Sequence, residues 1–207
     1  MPVEIAAFLQ GLGMGASLIM AIGPQNALLL RQGVRRERAW TIAGSFIAFD
    51  IGLIALGALG VGAVVSRFEG LRLGLGIAAV AVLVVLAFRH LRDALRPRVS
   101  DLGDGAALAP LAAVGLAASV SLLNPAVLFD TIVLIGGIAG QYPTMAGKLP
   151  FTLGAMLASA LWFTTLAAGA IRLAPVFRRA GALRVLDAVV AVLMLGVAGL
   201  VLLRLFG

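Results

Sequence analysis

An all-α, polytopic membrane protein with about six transmembrane helices is the fold class this sequence predicts, and three observations carry the prediction. Of 207 residues, 62% are hydrophobic and only 12% charged, against about 45–50% apolar and about 25% charged in soluble domains. The apolar stretches recur along the whole chain, several at the ~18–20 residues a helix needs to cross roughly 30 Å of hydrocarbon. The arginines, which dominate a formal charge of +7, fall in short gaps between apolar runs and so read as topology signals rather than as a nucleic-acid surface. Cysteine is absent, which excludes a disulfide framework and thiolate metal sites. The N-terminus has no basic leader region, and its apolar run continues past signal-peptide length, so it reads as a retained first span.

The first span runs from about Ile5 to Leu30 and closes on Arg31, Arg35, Arg36 and Arg38. The second covers about Trp40 to Val65. The third, about Leu73 to Phe88, is short, but its flanking Arg72 and Arg89 can snorkel to the interface and stretch it. A polar segment from Arg89 to Ala109, holding Asp93, Pro97, Asp101 and Asp104, reads as an irregular connection with a helical start. The remaining spans run about Leu111 to Ile138, Leu149 to Ile171 and Leu183 to Leu203. The loops after spans one, three and five hold 12 of the 16 Lys and Arg residues. The positive-inside rule therefore makes these loops cytoplasmic and places both termini on the other side.

Two internal segments are alike. Gly13 to Leu28 reads GMGASLIMAIGPQNAL, Val114 to Phe129 reads VGLAASVSLLNPAVLF, and a shift of 101 residues lays Pro24 over Pro125 and Gly23 over Asn124. With six spans, the first and fourth cross in opposite directions. The likeness then predicts one transmembrane domain over residues 1–207, divided into a half-repeat at 5–109 and an inverted one at 110–204, an arrangement found in transporters.

Each proline lacks an amide donor and clashes with the carbonyl four residues back, so Pro24 is expected to free the carbonyl of Met20 and Pro125 that of Ser121. In hydrocarbon such a carbonyl needs a partner. Gln25 and Asn26 stand beside one proline and Asn124 beside the other, able either to satisfy the backbone or to bind a polar solute. Broken helices also aim free N–H groups at the bilayer midplane, where they suit a carboxylate.

Asp50 lies about ten residues into its span, roughly 15 Å deep at 1.5 Å per residue. Asp130, five residues beyond Pro125, is also deep, and no Lys or Arg lies at comparable depth. A central aspartate costs on the order of 3 kcal/mol to insert unless a cavity or partner receives it. Two readings are open: the acids hold a cationic solute and exchange protons, or they are protonated and hydrogen-bond across helices. Asp187, near Arg184, reads as an interface ion pair. Ser17, Ser121, Thr131 and Trp162 are candidates for lining a pathway, although Ser and Thr also join membrane helices. The pairs Gly11/Gly15 and Gly70/Gly74 suit close helix approach. His90, the single histidine, stands at a membrane edge, so a metal centre and a histidine-based enzyme site are not expected.

The run Ala21 to Gly33 (AIGPQNALLLRQG), the basic loop after it, Asp50, and Leu123 to Asp130 (LNPAVLFD) closely resemble the lysine/arginine exporter family, the LysE-type carriers. Gly136 to Tyr142 and Trp162-Phe163 are similar to that family too, and the likeness covers nearly the whole chain. The resemblance implies a bacterial inner-membrane exporter of basic amino acids, coupled to protons or to the membrane potential, and not an enzyme. It carries the family's paired acids onto Asp50 and Asp130 and its break motifs onto Gly23, Pro24, Gln25 and Asn26 and onto Asn124 and Pro125. The expected partners are a basic amino acid, protons and the lipid bilayer, without nucleic acid or cofactor, and with homo-oligomer formation left open. The sequence departs from relatives at Ala126 to Phe129, an apolar run where polar or tyrosine side chains are frequent, which leaves lysine, arginine or something smaller open as the substrate; a pair of acids with two amides also suits efflux of neutral amino acids or of a divalent cation, the alternative reading.

Overall fold

The structure, a computed structural model, describes residues 3–20, 23–61, 68–95, 108–177 and, towards the end of the chain, 185, 188–189, 191–192, 194–196, 198–199 and 202–203. Every regular element among them is helical. In chain order these are α1 (Val3–Ile19), α2 (Pro24–Arg35), α3 (Ala39–Leu56) running into a π-helical turn (Gly57–Val61), and α4 (Glu69–Leu95). The second half continues with α5 (Pro110–Leu122), α6 (Pro125–Leu128), a second π-helical segment (Phe129–Ile135), α7 (Gly136–Ala139) and α8 (Met145–Phe177).

Two described helices, Ala39–Gly60 and Met145–Pro175, are long and apolar enough to cross a bilayer, and the number rises to four if each bent pair is one span. The chain is therefore an all-α, multi-pass membrane protein. The expected first and fourth spans are the bent pairs: α1 meets α2 at 72°, and α5 meets the helix resuming at Pro125 at 61°. At the third expected span, helix α4 covers 27 residues and continues past the apolar run through Arg89 to Leu95, the helical start expected of the polar segment; the rest of that segment to 107 lies outside the described residues. The sixth lies partly outside the described residues, as do Arg184 and Asp187 with their expected ion pair; the described positions between 185 and 203 are helical.

Both prolines stand at the first position of a new helix instead of inside a continuous one. There the missing N–H is one no helix would have used, and the fixed φ suits the helix start. The chain thus turns sharply at both prolines, at 72° and 61°.

Small residues set the spacing of α1 on α8. A Cβ on Gly11 would strike the Phe151 carbonyl, one on Gly15 would come within 2.9 Å of the Ala155 Cα, and one on Gly154 would strike the Phe8 carbonyl. Gly70 and Gly74 differ: a Cβ on either meets nothing within 4 Å among the described residues, so the close approach expected there is not found. The α2–α3 turn carries the basic loop. Arg36 and Arg38 both take left-handed backbone there (φ 56° and 52°), and the Arg38 Nε donates to the Leu108 carbonyl at 3.1 Å, fastening the turn to the start of α5.

Two apolar clusters lie on either side of a polar layer. Leu29, Ile42, Phe46, Ala113, Ala117 and Phe163 form one, and Ala7, Ile54, Ile135, Ala139, Phe151 and Ala155 form the other. Helix α3 presents Ile42, Phe46, Asp50 and Ile54 as one buried stripe at four-residue spacing, as one face of a helix requires. Asp50 is the single polar member of that stripe, between the clusters.

Candidate functional site

Asp50 is only 1% exposed, and its carboxylate is held from two helices. Ser159 Oγ on α8 donates to Oδ2 at 2.8 Å, and Gln25 Nε2 on α2 donates to Oδ1 at 3.3 Å. The same Gln25 nitrogen donates to Ser121 Oγ on α5 at 2.9 Å. Side chains of α2 and α8 therefore meet at the α3 carboxylate, and Gln25 extends the link to α5. The hydrogen bonds to Asp50 thus run between helices.

Asn26 works beside Gln25. Its Nδ2 donates to the Ile19 carbonyl at 3.0 Å, and its Oδ1 accepts from Trp162 Nε1 at 2.9 Å. At the first break Asn26 thus serves the carbonyl of Ile19, the last residue of α1, and satisfies the backbone, one of the two roles open to the amides beside the prolines. Trp162 is joined to the site through this bond.

The second break uses its amide differently. Asn124 Oδ1 accepts from the Ala126 amide at 3.0 Å and caps the helix that Pro125 opens. Its Nδ2 has no hydrogen-bond partner among the described residues, although Asn124 is 5% exposed. Thr131 turns back on its own helix, donating to the Val127 carbonyl at 2.6 Å. Beyond it, Gly136 and Gly57 touch so closely that a Cβ on Gly136 would lie 2.6 Å from Gly57, which presses the two π-helical segments together.

A cavity of about 50 Å³ joins the two breaks, lined by Gly23, Pro24, Gln25, Asn26, Asp50, Asn124, Asp130 and Thr131 together with apolar side chains that include Ala126 and Val127. Eight residues singled out in the sequence are thereby brought to one place. Ser121 and Trp162 attach to it through Gln25 and Asn26, and Pro125 sets the turn that carries Asn124. Ser17 is not brought in: it is exposed and donates to the Met14 carbonyl of its own helix at 2.8 Å.

Ser159 is the site residue that the sequence reading passed over. A signal for it exists, since Phe151, Ala155, Ser159, Phe163 and Ala167 recur every four residues on α8 and all are buried. Ser159 is the polar member of that stripe, just as Asp50 is the polar member of the stripe on α3.

With this geometry in view, comparison with known proteins decides the family. A family profile described as LysE type translocator matches residues 16–205. The chain belongs to the LysE family. Among LysE-type relatives, a putative amino-acid transporter of Mycobacterium tuberculosis is 39% identical over 186 residues, covering 90% of this chain and 92% of the relative. A putative amino-acid transporter of Aeromonas salmonicida is 34% identical over 197 residues, covering 93% and 94%. The arginine exporter protein ArgO of Salmonella typhi is 34% identical over 192 residues, covering 92% and 90%. No solved structure matches the chain.

Proposed function

We propose that this LysE-type chain is a secondary carrier that exports basic amino acids, L-lysine and/or L-arginine, across the bacterial inner membrane. The observation that carries the reading is the buried Asp50 carboxylate beside a cavity that Asp130 and both helix breaks also line. In this reading the acids receive the cationic end of the substrate, and the free helix ends at the two breaks receive its α-carboxylate. Relatives described as arginine exporters support the substrate class. The equivalent bends at Pro24 and Pro125 support two inverted three-helix halves, 5–109 and 110–204, in a single six-span domain.

Export of a cation against a negative-inside potential costs about 2.3 kcal/mol per charge per 100 mV. A buried acid that takes up a proton as it releases the substrate supplies the coupling. Replacing Asp50 by Asn should abolish arginine and lysine efflux from proteoliposomes while membrane insertion persists, and unchanged efflux would refute the assignment. Ala126 and Val127 on the cavity wall favour a second reading, efflux of a smaller neutral amino acid. Competition of radiolabelled arginine with lysine, neutral amino acids and divalent metals separates the two and also tests the cation alternative.

A further inference from the structure

The cavity between the breaks is too small for its proposed cargo. About 50 Å³ is room for a few waters, each needing about 10–15 Å³, and not for an amino acid with a long cationic side chain. Some lining group must move before a substrate binds. Ser159 and Ser121 are both 0% exposed, on helices held by the apolar core. Gln25 is half-buried, stands in the first turn after a break, and has a long flexible side chain.

The bonds to Asp50 differ in the same sense. Ser159 holds Oδ2 at 2.8 Å, whereas Gln25 reaches Oδ1 at 3.3 Å. An ionised carboxylate retains its acceptor positions when one neutral donor leaves, and a hydrogen bond from a guanidinium or ammonium is roughly twice as strong as one from a neutral amide. A cation therefore outcompetes Gln25 for Oδ1.

We propose that Gln25 is a latch that the substrate's cationic head displaces: Gln25 occupies Asp50 Oδ1 and Ser121 Oγ in the empty carrier, and the substrate takes its place on Asp50 while Ser159 stays. The proposal rests on the reading of Asp50 as partner of the substrate cation. The consequence reaches past the site. Gln25 is the side chain that joins α2 to both Asp50 on α3 and Ser121 on α5, so its release uncouples α2 from these helices at this level. Asn26, one residue on, keeps α2 on α8 through Trp162 and on α1 through the Ile19 carbonyl. Substrate binding thus frees α2 from α3 and α5 at this level, while Asn26 keeps it on α1 and α8 and Ser159 keeps α8 on α3.

The test is arginine binding to the purified full-length carrier, with efflux from proteoliposomes measured alongside. A latch competes with the substrate, so Gln25→Leu should tighten arginine binding by about threefold to tenfold, the equivalent of one ordinary hydrogen bond, and should slow turnover, because the step from binding to helix movement is lost. Were Gln25 an ordinary substrate ligand, the same variant would bind arginine more weakly, and weaker or unchanged binding overturns the latch. Asp50→Asn serves as the separate control: loss of binding there upholds Asp50 as the cation's partner whatever Gln25 does, and retained binding overturns both ideas. If Gln25→Leu does not fold, Ser121→Ala decides. It removes the latch's other anchor, and tighter binding supports the latch while unchanged or weaker binding overturns it.

Discussion

At the first helix break the amide side chains reach across the molecule, and at the second the amide folds back on its own helix. Gln25 and Asn26 bond to α1, α3, α5 and α8, whereas the Asn124 oxygen caps the helix it precedes and leaves its nitrogen unpartnered among the described residues. The backbone problem is the same at both places, since each proline starts a helix after a bend of 60° or more. The difference lies in the cap position. Gly23 caps α2 without a side chain, so both first-break amides are available for contacts between helices. Asn124 spends its oxygen on capping. Two segments alike in sequence thus play different parts, the first break joining helices and the second presenting a buried donor to the cavity.

Breaking that comparison is expected to have its largest effect at Asn26. Asn26→Ala leaves both Trp162 Nε1 and the Ile19 carbonyl without the bonds described, at about 1–3 kcal/mol for each group left unsatisfied. A loss of about 2–4 kcal/mol should appear in thermal or denaturant unfolding in detergent, and a loss below about 1 kcal/mol would show that the first break is not a joint. Asn124→Ala should cost less, about 1 kcal/mol, because it removes one N-cap. If the Asn124 variant proved the more destabilised of the two, the parts given to the two breaks would be reversed.

The finest test is Asn124→Ser. Serine caps a helix about as well as asparagine, so stability should change by only a few tenths of a kcal/mol, while the free amide donor disappears. A raised KM for arginine efflux with near wild-type unfolding is the expected result, and an unchanged KM would confine Asn124 to capping.

The two prolines, their neighbouring amides and the deep aspartates were all legible in the sequence, because hydrocarbon permits few unpaired backbone groups or acids and each exception stands out against an apolar background. At Gly70 and Gly74 no described residue lies opposite, and a small-residue pair on one helix does not by itself say which helix lies there. The same contrast passed over Ser159, since serine is common in membrane helices and its meaning depends on which stripe faces which. By itself the sequence determined the all-α membrane class, the positions of both breaks and the place of Asp50 and Asp130 within apolar runs, all of which follow from local backbone chemistry and the transfer cost of single residues. Only the tertiary structure decided that Ile19 is the carbonyl Asn26 serves, that Ser159 and Gln25 share Asp50, and that Asn124 keeps a free donor. Those pairings join residues 7 to 109 positions apart, and packing of glycine and alanine faces between helices, which no local pattern encodes, sets which of them meet.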